Sequence, residues 1–119
     1  MQVTLPWFPP ELNPNKRVHW AVKAKAVKQY RHACWALCVQ AGLTSIPWDG
    51  DVHLWIDFYP PNRRGWDDDN CNSAFKAGRD GMADALKVND KRFKSHPDLK
   101  TEIGGMVKVT ITPGPSQNG

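Results

Sequence analysis

Apolar and polar positions along this chain fall into two kinds of spacing, alternate residues and steps of three or four. Val3, Leu5 and Trp7 occupy alternate positions, so residues 2–7 read as a short strand. Phe8-Pro9-Pro10 ends it, because proline has no amide to give to a ladder. Over residues 18–40 the spacing becomes helical. Trp20, Ala24, Val27, Cys34, Cys38 and Ala41 share one face, Lys25, Lys28, Gln29 and His32 share another, and Gly42 is a stop signal. Residues 51–59 give the clearest strand, with Val52, Leu54, Ile56 and Phe58 facing one way and His53, Trp55, Asp57 and Tyr59 the other. Bulky side chains on both faces predict a central strand covered on both sides.

After the loop Pro60-Pro61-Asn62-Arg63-Arg64-Gly65, Asp69 or Asn70 can cap a helix over residues 70–87. Its inner face would be Cys71, Ala74, Phe75, Gly78, Met82, Ala85 and Leu86. Residues 88–92 form a turn, and a weaker strand interrupted by Pro97 falls within 93–103. Gly104-Gly105 predicts a hairpin turn into a strand over 106–112, where Val107, Val109 and Ile111 alternate. The order βαβαββ predicts one small α+β domain over residues 1–112, with a mixed sheet and two main helices. The Pro- and Gly-rich residues 113–119 are expected to be a disordered tail. There is no internal repeat.

At 119 residues the chain suits a single core. Charge changes the picture more through its distribution than through the net +4 that 16 Lys+Arg and 12 Asp+Glu leave. No acid stands between Glu11 and Asp49, yet Lys16, Arg17, Lys23, Lys25, Lys28 and Arg31 all do. Such a one-signed segment fits a phosphate-backbone binder, and equally a solvated basic helix face. The 3 cysteines lack CxxC spacing, which points to a reducing compartment rather than a disulfide framework. Cys34 and Cys38, a turn apart and near His32, fit buried thiols on a helix face better than a zinc site lacking a fourth ligand. With no long apolar run or secretory segment, a cytoplasmic protein without a membrane partner is expected, bacterial or phage-encoded.

Against this basic background stands one acidic knot, Asp67-Asp68-Asp69. At a strand-to-helix transition Asp67 and Asp69 can face the same side while Asp68 points away. Two carboxylates about 5 Å apart repel by about 3 kcal/mol at an effective dielectric of about 20, and by less than about 1 kcal/mol in water. An open site therefore tolerates them as an ordinary acidic helix start. A recessed one requires a cation or a proton. Asp90, in the turn after the helix, can return a third carboxylate. Lys76 lies seven residues after Asp69, two turns on along the same face of an unbroken helix, and Arg63, Arg64 and Arg79 surround the cluster. Carboxylates for magnesium, a lysine for developing charge and arginines for flanking phosphates are the parts phosphodiester hydrolysis requires.

The ordered set Asp67-x-Asp69-Asn70, a helix with a lysine, Asp84-Ala85-Leu86 and a turn holding Asn89-Asp90 resembles the RusA family of Holliday-junction resolvases. So does the opening Leu5-Pro6-Trp7 with its proline-rich exit. The resemblance spans residues 3–112. It implies Mg2+ (with Mn2+ as a substitute) bound by Asp67, Asp69 and Asp90, with Lys76 as the catalytic cation. It also implies a homodimer cutting branched, four-way-junction DNA in recombination and repair. The chain departs from the family in having Ser73 where the lysine usually stands, one turn before Lys76, which leaves Arg79 as a competitor. It also has Asn89-Asp90 where two acids are usual. Lys16, Arg17, Lys23, Arg63, Arg64, Arg79, Lys91 and Arg92 are the expected DNA contacts. Two other readings remain open: a noncatalytic DNA-binding module whose acids only cap a helix, and a nuclease acting on other branched DNA.

Overall fold

The alternating and helical segments assemble as an α+β domain in the computed structural model, which describes residues 1–113. The elements are β1 (Gln2–Pro6), α1 (Trp20–Gln40), β2 (Val52–Tyr59), α2 (Asp68–Ala74), α3 (Lys76–Leu86), β3 (Phe93–Leu99) and β4 (Met106–Pro113), with short 3-10 turns at Pro10–Leu12, Leu43–Ser45 and Asp90–Arg92. One mixed sheet runs in the order β1-β4-β2-β3, with β2 parallel to β3 and antiparallel to β4, and β1 antiparallel to β4. The expected disordered tail begins at Pro113, which closes β4; residues 114–119 lie outside the described residues.

Burial follows the period-two pattern closely. Val3, Leu5, Val52, Leu54, Ile56, Phe58, Val107, Val109 and Ile111 are all buried and form one core with Tyr30, Cys34, Cys38, Phe75, Met82, Ala85 and Leu86 from the helices. β4, apolar at every second residue, takes an interior position between β1 and β2. β3, with the run Lys94-Ser95-His96-Pro97-Asp98, buries only Phe93 and takes the edge. Pro97, paired with Ile56, is tolerated there because an edge strand needs hydrogen bonds on one side only.

Four expectations are corrected. Gly104-Gly105 does not close a hairpin between β3 and β4, because the two strands are not neighbours. β3 pairs in parallel with β2, and Gly104 and Gly105 donate instead to the carbonyls of Pro60 and Tyr59. The helix expected over residues 70–87 is two helices that meet at Phe75, whose buried ring fixes the junction between Tyr30 and Phe58. The inner stripe of α1 is Ala26, Tyr30, Cys34 and Cys38. Trp20, Ala24 and Ala41, assigned to that stripe from their spacing, are exposed, Trp20 by 77%, because the buried stretch of the helix runs only from Ala26 to Cys38. Finally, β2 is interior to the sheet, but its second face is open in the single chain: His53, Asp57 and Tyr59 are half-buried and Trp55 is exposed. On that open face the Trp55 ring stacks on His96 with centroids 4.0 Å apart, and His53 Nδ1 lies 2.8 Å from His96 Nε2.

The helix stops obey local chemistry. Gly42 has φ 80°, the left-handed conformation expected just after α1. At the end of α3 that conformation falls on Lys87, with φ 59°. Among the described residues no helix is long and apolar enough to cross a membrane.

Candidate metal and nucleic-acid site

Three successive acids at the start of α2 do three different things. Asp67, rather than the expected Asp69 or Asn70, is the N-cap: one carboxylate oxygen accepts from the Asn70 amide at 2.8 Å and the other from the Asn70 side chain at 2.9 Å. Asp68 turns to the sheet and accepts from the Leu99 amide at 3.1 Å, fastening α2 to the last residue of β3. Asp69 is exposed and has no hydrogen-bond or ion-pair partner among the described residues. It is the one acid of the three whose charge no contact in the fold uses.

Asp90 lies at the other end of β3. Its carboxylate is 3.9 Å from a guanidinium nitrogen of Arg79, whose other amine donates at 3.1 Å to the carbonyl of Phe93, the first residue of β3. Phe93 to Leu99 is six steps of strand, or about 20 Å. Two oxygens bound to one Mg2+ lie within about 4 Å of each other, because each metal–oxygen bond is about 2.1 Å. Within one chain, therefore, Asp90 does not meet Asp67 and Asp69. Among the described residues no group of three His, Cys, Asp or Glu side chains is placed to hold a metal ion.

Lys76 does not point toward Asp69 either. The break at Phe75 opens a new helix at Lys76, and its ammonium lies 3.6 Å from Asp80, one turn further on. Lys76 and Asp90 line the same polar concavity, of about 390 Å³, together with Arg31, Asp80, Asp84 and Asn89. Asp84 receives two hydrogen bonds from Arg31, at 2.7 and 2.9 Å, and these hold its carboxyl below the usual carboxylate range. Each acid in this concavity thus has a cation beside it. Asp80 and Asp84 received no role from sequence reasoning. The four-residue step Lys76, Asp80, Asp84 along one helix face was the signal that places them together.

The cations sort into two groups. Arg79 donates to Ser95 Oγ at 2.9 Å and to the Asp90 and Phe93 carbonyls, with its guanidinium 5.4 Å from the Phe93 ring. Arg92 donates to the carbonyls of Gly50 and Trp48. Both hold the turn before β3 in place, and of the two rivals for a free catalytic cation Arg79 is the one tied up in this way. Lys16, Arg17, Lys23, Arg63, Arg64 and Lys91 are exposed and have no acidic partner among the described residues. Arg63 and Arg64 precede the acidic knot by only four and three residues in the chain, so the loop entering it carries positive charge.

The three thiols lie in the core. Burial pushes Cys34 and Cys38 up to about 12 and Cys71 up to about 11, so all three are protonated at neutral pH and inert as nucleophiles or ligands. The Tyr30 hydroxyl donates to the Pro6 carbonyl at 2.6 Å, and burial first, then Cys34, raises its pKa as well.

No family model matches the chain. It is 48% identical over 114 residues to an uncharacterized protein of Xylella fastidiosa (strain Temecula1 / ATCC 700964), a match covering 92% of this chain and 74% of that protein.

Proposed function

We propose that this chain, which belongs to the same family as the Xylella fastidiosa protein, is a Mg2+-dependent endonuclease for branched DNA that works as a two-fold homodimer. One observation carries the reading. Asp69 stands at the start of a helix two residues after the capping Asp67, in a segment entered through Arg63 and Arg64, and among the described residues none of Asp69, Arg63 and Arg64 has an ion-pair partner. An acid kept free next to cations kept free suits a site where a metal ion and a phosphate meet.

The separation of Asp90 from Asp67 and Asp69 gives the dimer a chemical task. A two-fold axis that brings the α2 start of one copy against the 88–92 turn of another would build two equivalent three-acid sites. Lys76, which shares a concavity with Asp90, would arrive with it. A divalent cation held there would polarise the scissile phosphate and lower the pKa of bound water. Paired sites related by a two-fold axis suit a four-way junction, whose resolution needs cuts on two strands of like polarity.

The test is cleavage of a four-way junction, a flap and a linear duplex with and without Mg2+, using wild type, Asp69→Asn and Asp90→Asn. Wild type should cut the junction preferentially, and each variant should lose at least about 100-fold in rate. Mixing the two inactive variants should restore roughly a quarter of the nicking, because half the dimers are mixed and each carries one intact site. Rescue failing in mixed dimers rejects a shared site. Equal cutting of flaps and junctions moves the substrate to branched DNA in general.

A second reading, a noncatalytic DNA-binding module, draws on the same geometry. Asp67 is a cap, Asp68 is a tether, and among the described residues of one chain no three acids converge. Junction binding without any Mg2+-dependent cutting by wild type would select it.

A further inference from the structure

Next to the acidic knot, on the N-terminal side of Trp66, lies a concavity of about 490 Å³ that the proposed chemistry does not use. Its walls are aromatic. Trp7 stacks on Phe8 with centroids 4.3 Å apart, and Trp66 meets Trp7 edge-on at 5.2 Å and Phe8 at 5.9 Å. Phe8 is buried against Phe58 of the core, so the walls are set before any ligand arrives. Lys16 and Arg64 also line the concavity, and no acid does. Both cations are exposed and lack an acidic partner among the described residues.

Asn62 completes the set. Its side-chain oxygen accepts from the Trp66 indole at 3.2 Å and from the Arg64 amide at 3.1 Å, while its NH2 group has no partner among the described residues. A preset aromatic wall, an amide donor with nothing to bond and two unpaired cations match the parts of a nucleotide: a flat base, a polar base edge and a phosphate. The volume falls in the range of small-ligand sites, about 300–1,000 Å³. A paired base cannot enter, because its faces are covered by stacking and its edge by its partner.

We infer that this concavity binds one unpaired nucleotide of a DNA strand, its base against Trp66 and Trp7 and its phosphate between Lys16 and Arg64. Trp66 directly precedes Asp67 in the chain, so the strand held here continues toward the start of α2. The inference rests on reading the chain as a DNA-binding protein, but not on its cutting DNA. It would distinguish opened DNA from an intact duplex, because a duplex offers no unstacked base and a strand opened at a branch does.

The experiment measures fluorescence anisotropy of dye-labelled oligothymidylate and of an abasic oligomer of equal length, in EDTA so that nothing is hydrolysed. Wild type should bind the thymidylate on the order of ten-fold more tightly than the abasic strand. Trp66→Leu should lose that preference while keeping its affinity for the abasic strand. Arg64→Gln, at an exposed position, should weaken both strands alike and keep the preference. Equal binding of the two strands by wild type overturns the inference without needing any variant, as does a folded Trp66→Leu protein that keeps the preference. The same wild-type preparation is assayed for junction cutting with Mg2+. A base preference without cutting rejects only the hydrolytic reading, and cutting without a base preference rejects only the pocket.

Discussion

Gly81 of α3 lies directly against the backbone carbonyl of Arg31 in α1, so close that a Cβ on residue 81 would overlap that oxygen. The contact is backbone on backbone, with the Trp35 amide 3.1 Å from the same point, and neither atom can swing aside as a side chain can. It sets the spacing of the two helices that cover the sheet. One turn along, the Arg31–Asp84 pair closes the same seam on its solvent side.

Gly81→Ala should therefore destabilise the fold by about 2 kcal/mol, because backbone atoms on the facing helix put the overpacking cost at the upper end of its range. Alanine gains about 1 kcal/mol in helix propensity, but forcing packed backbones apart costs about 1–3 kcal/mol or more. Urea unfolding reads the difference. A variant as stable as wild type would mean that α1 and α3 separate freely.

The acids at the start of α2 should behave differently from one another. Asp67→Ala removes a cap and should cost about 1 kcal/mol, whereas Asp67→Asn keeps an acceptor and should cost only a few tenths. Asp69→Asn removes an unpartnered charge, losing only its attraction to the helix dipole, at most about 1 kcal/mol. A large loss of junction cutting with a nearly unchanged melting temperature marks Asp69 as functional. A melting temperature that falls with activity would mark it as structural.

Lys87 holds the left-handed conformation that ends α3, at φ 59°. A side chain there costs about 1 kcal/mol relative to glycine. Lys87→Gly should raise stability by about that amount, less the extra freedom glycine gains in the unfolded chain. Thermal melting at neutral pH decides the sign. A lower melting temperature would show that the Lys87 side chain makes a stabilising contribution of its own.

Alkali should unfold this protein earlier than its composition suggests. Burial raises the three thiols from an ordinary 9.0 to about 12 for Cys34 and Cys38 and about 11 for Cys71. Groups protonated in the folded state and ionised in the unfolded one contribute fully below the lower value. That contribution is lost as pH rises from about 9 toward the folded values, by about 1.4 kcal/mol per pH unit for each thiol. The urea midpoint should be level between pH 7 and 8.5 and fall steeply by pH 10.5, and Cys34→Ala should flatten the fall. A midpoint that does not move would place the thiols in contact with water.

Much of the architecture was legible because strand periodicity is a local property. Val52, Leu54, Ile56 and Phe58 declare one buried face regardless of what covers it, and Val107, Val109 and Ile111 declare another. All seven residues assigned to the inner face of α2 and α3 are buried, but Ala77, Gly81 and Ala83, which spacing left out, are buried too. The misread features depend on distant partners. Trp20 has the right spacing for the α1 stripe, but nothing in the sequence says how far the core extends beneath that helix. Gly104-Gly105 has hairpin chemistry, yet β4 finds β1 and β2 more apolar partners than β3.

The amino-acid sequence alone determined the α+β class, the number of strands, the buried alternation, the acidic knot and the basic segment around it, because each is written in residues close together in the chain. Tertiary structure decided the strand order, the break at Phe75, the tether from Asp68 to Leu99 and the concavity beside Trp66. It also placed Asp90 a full strand length away from Asp67 and Asp69. Those outcomes turn on which surfaces bury the most apolar area against each other, and that competition is settled only when the whole chain packs at once.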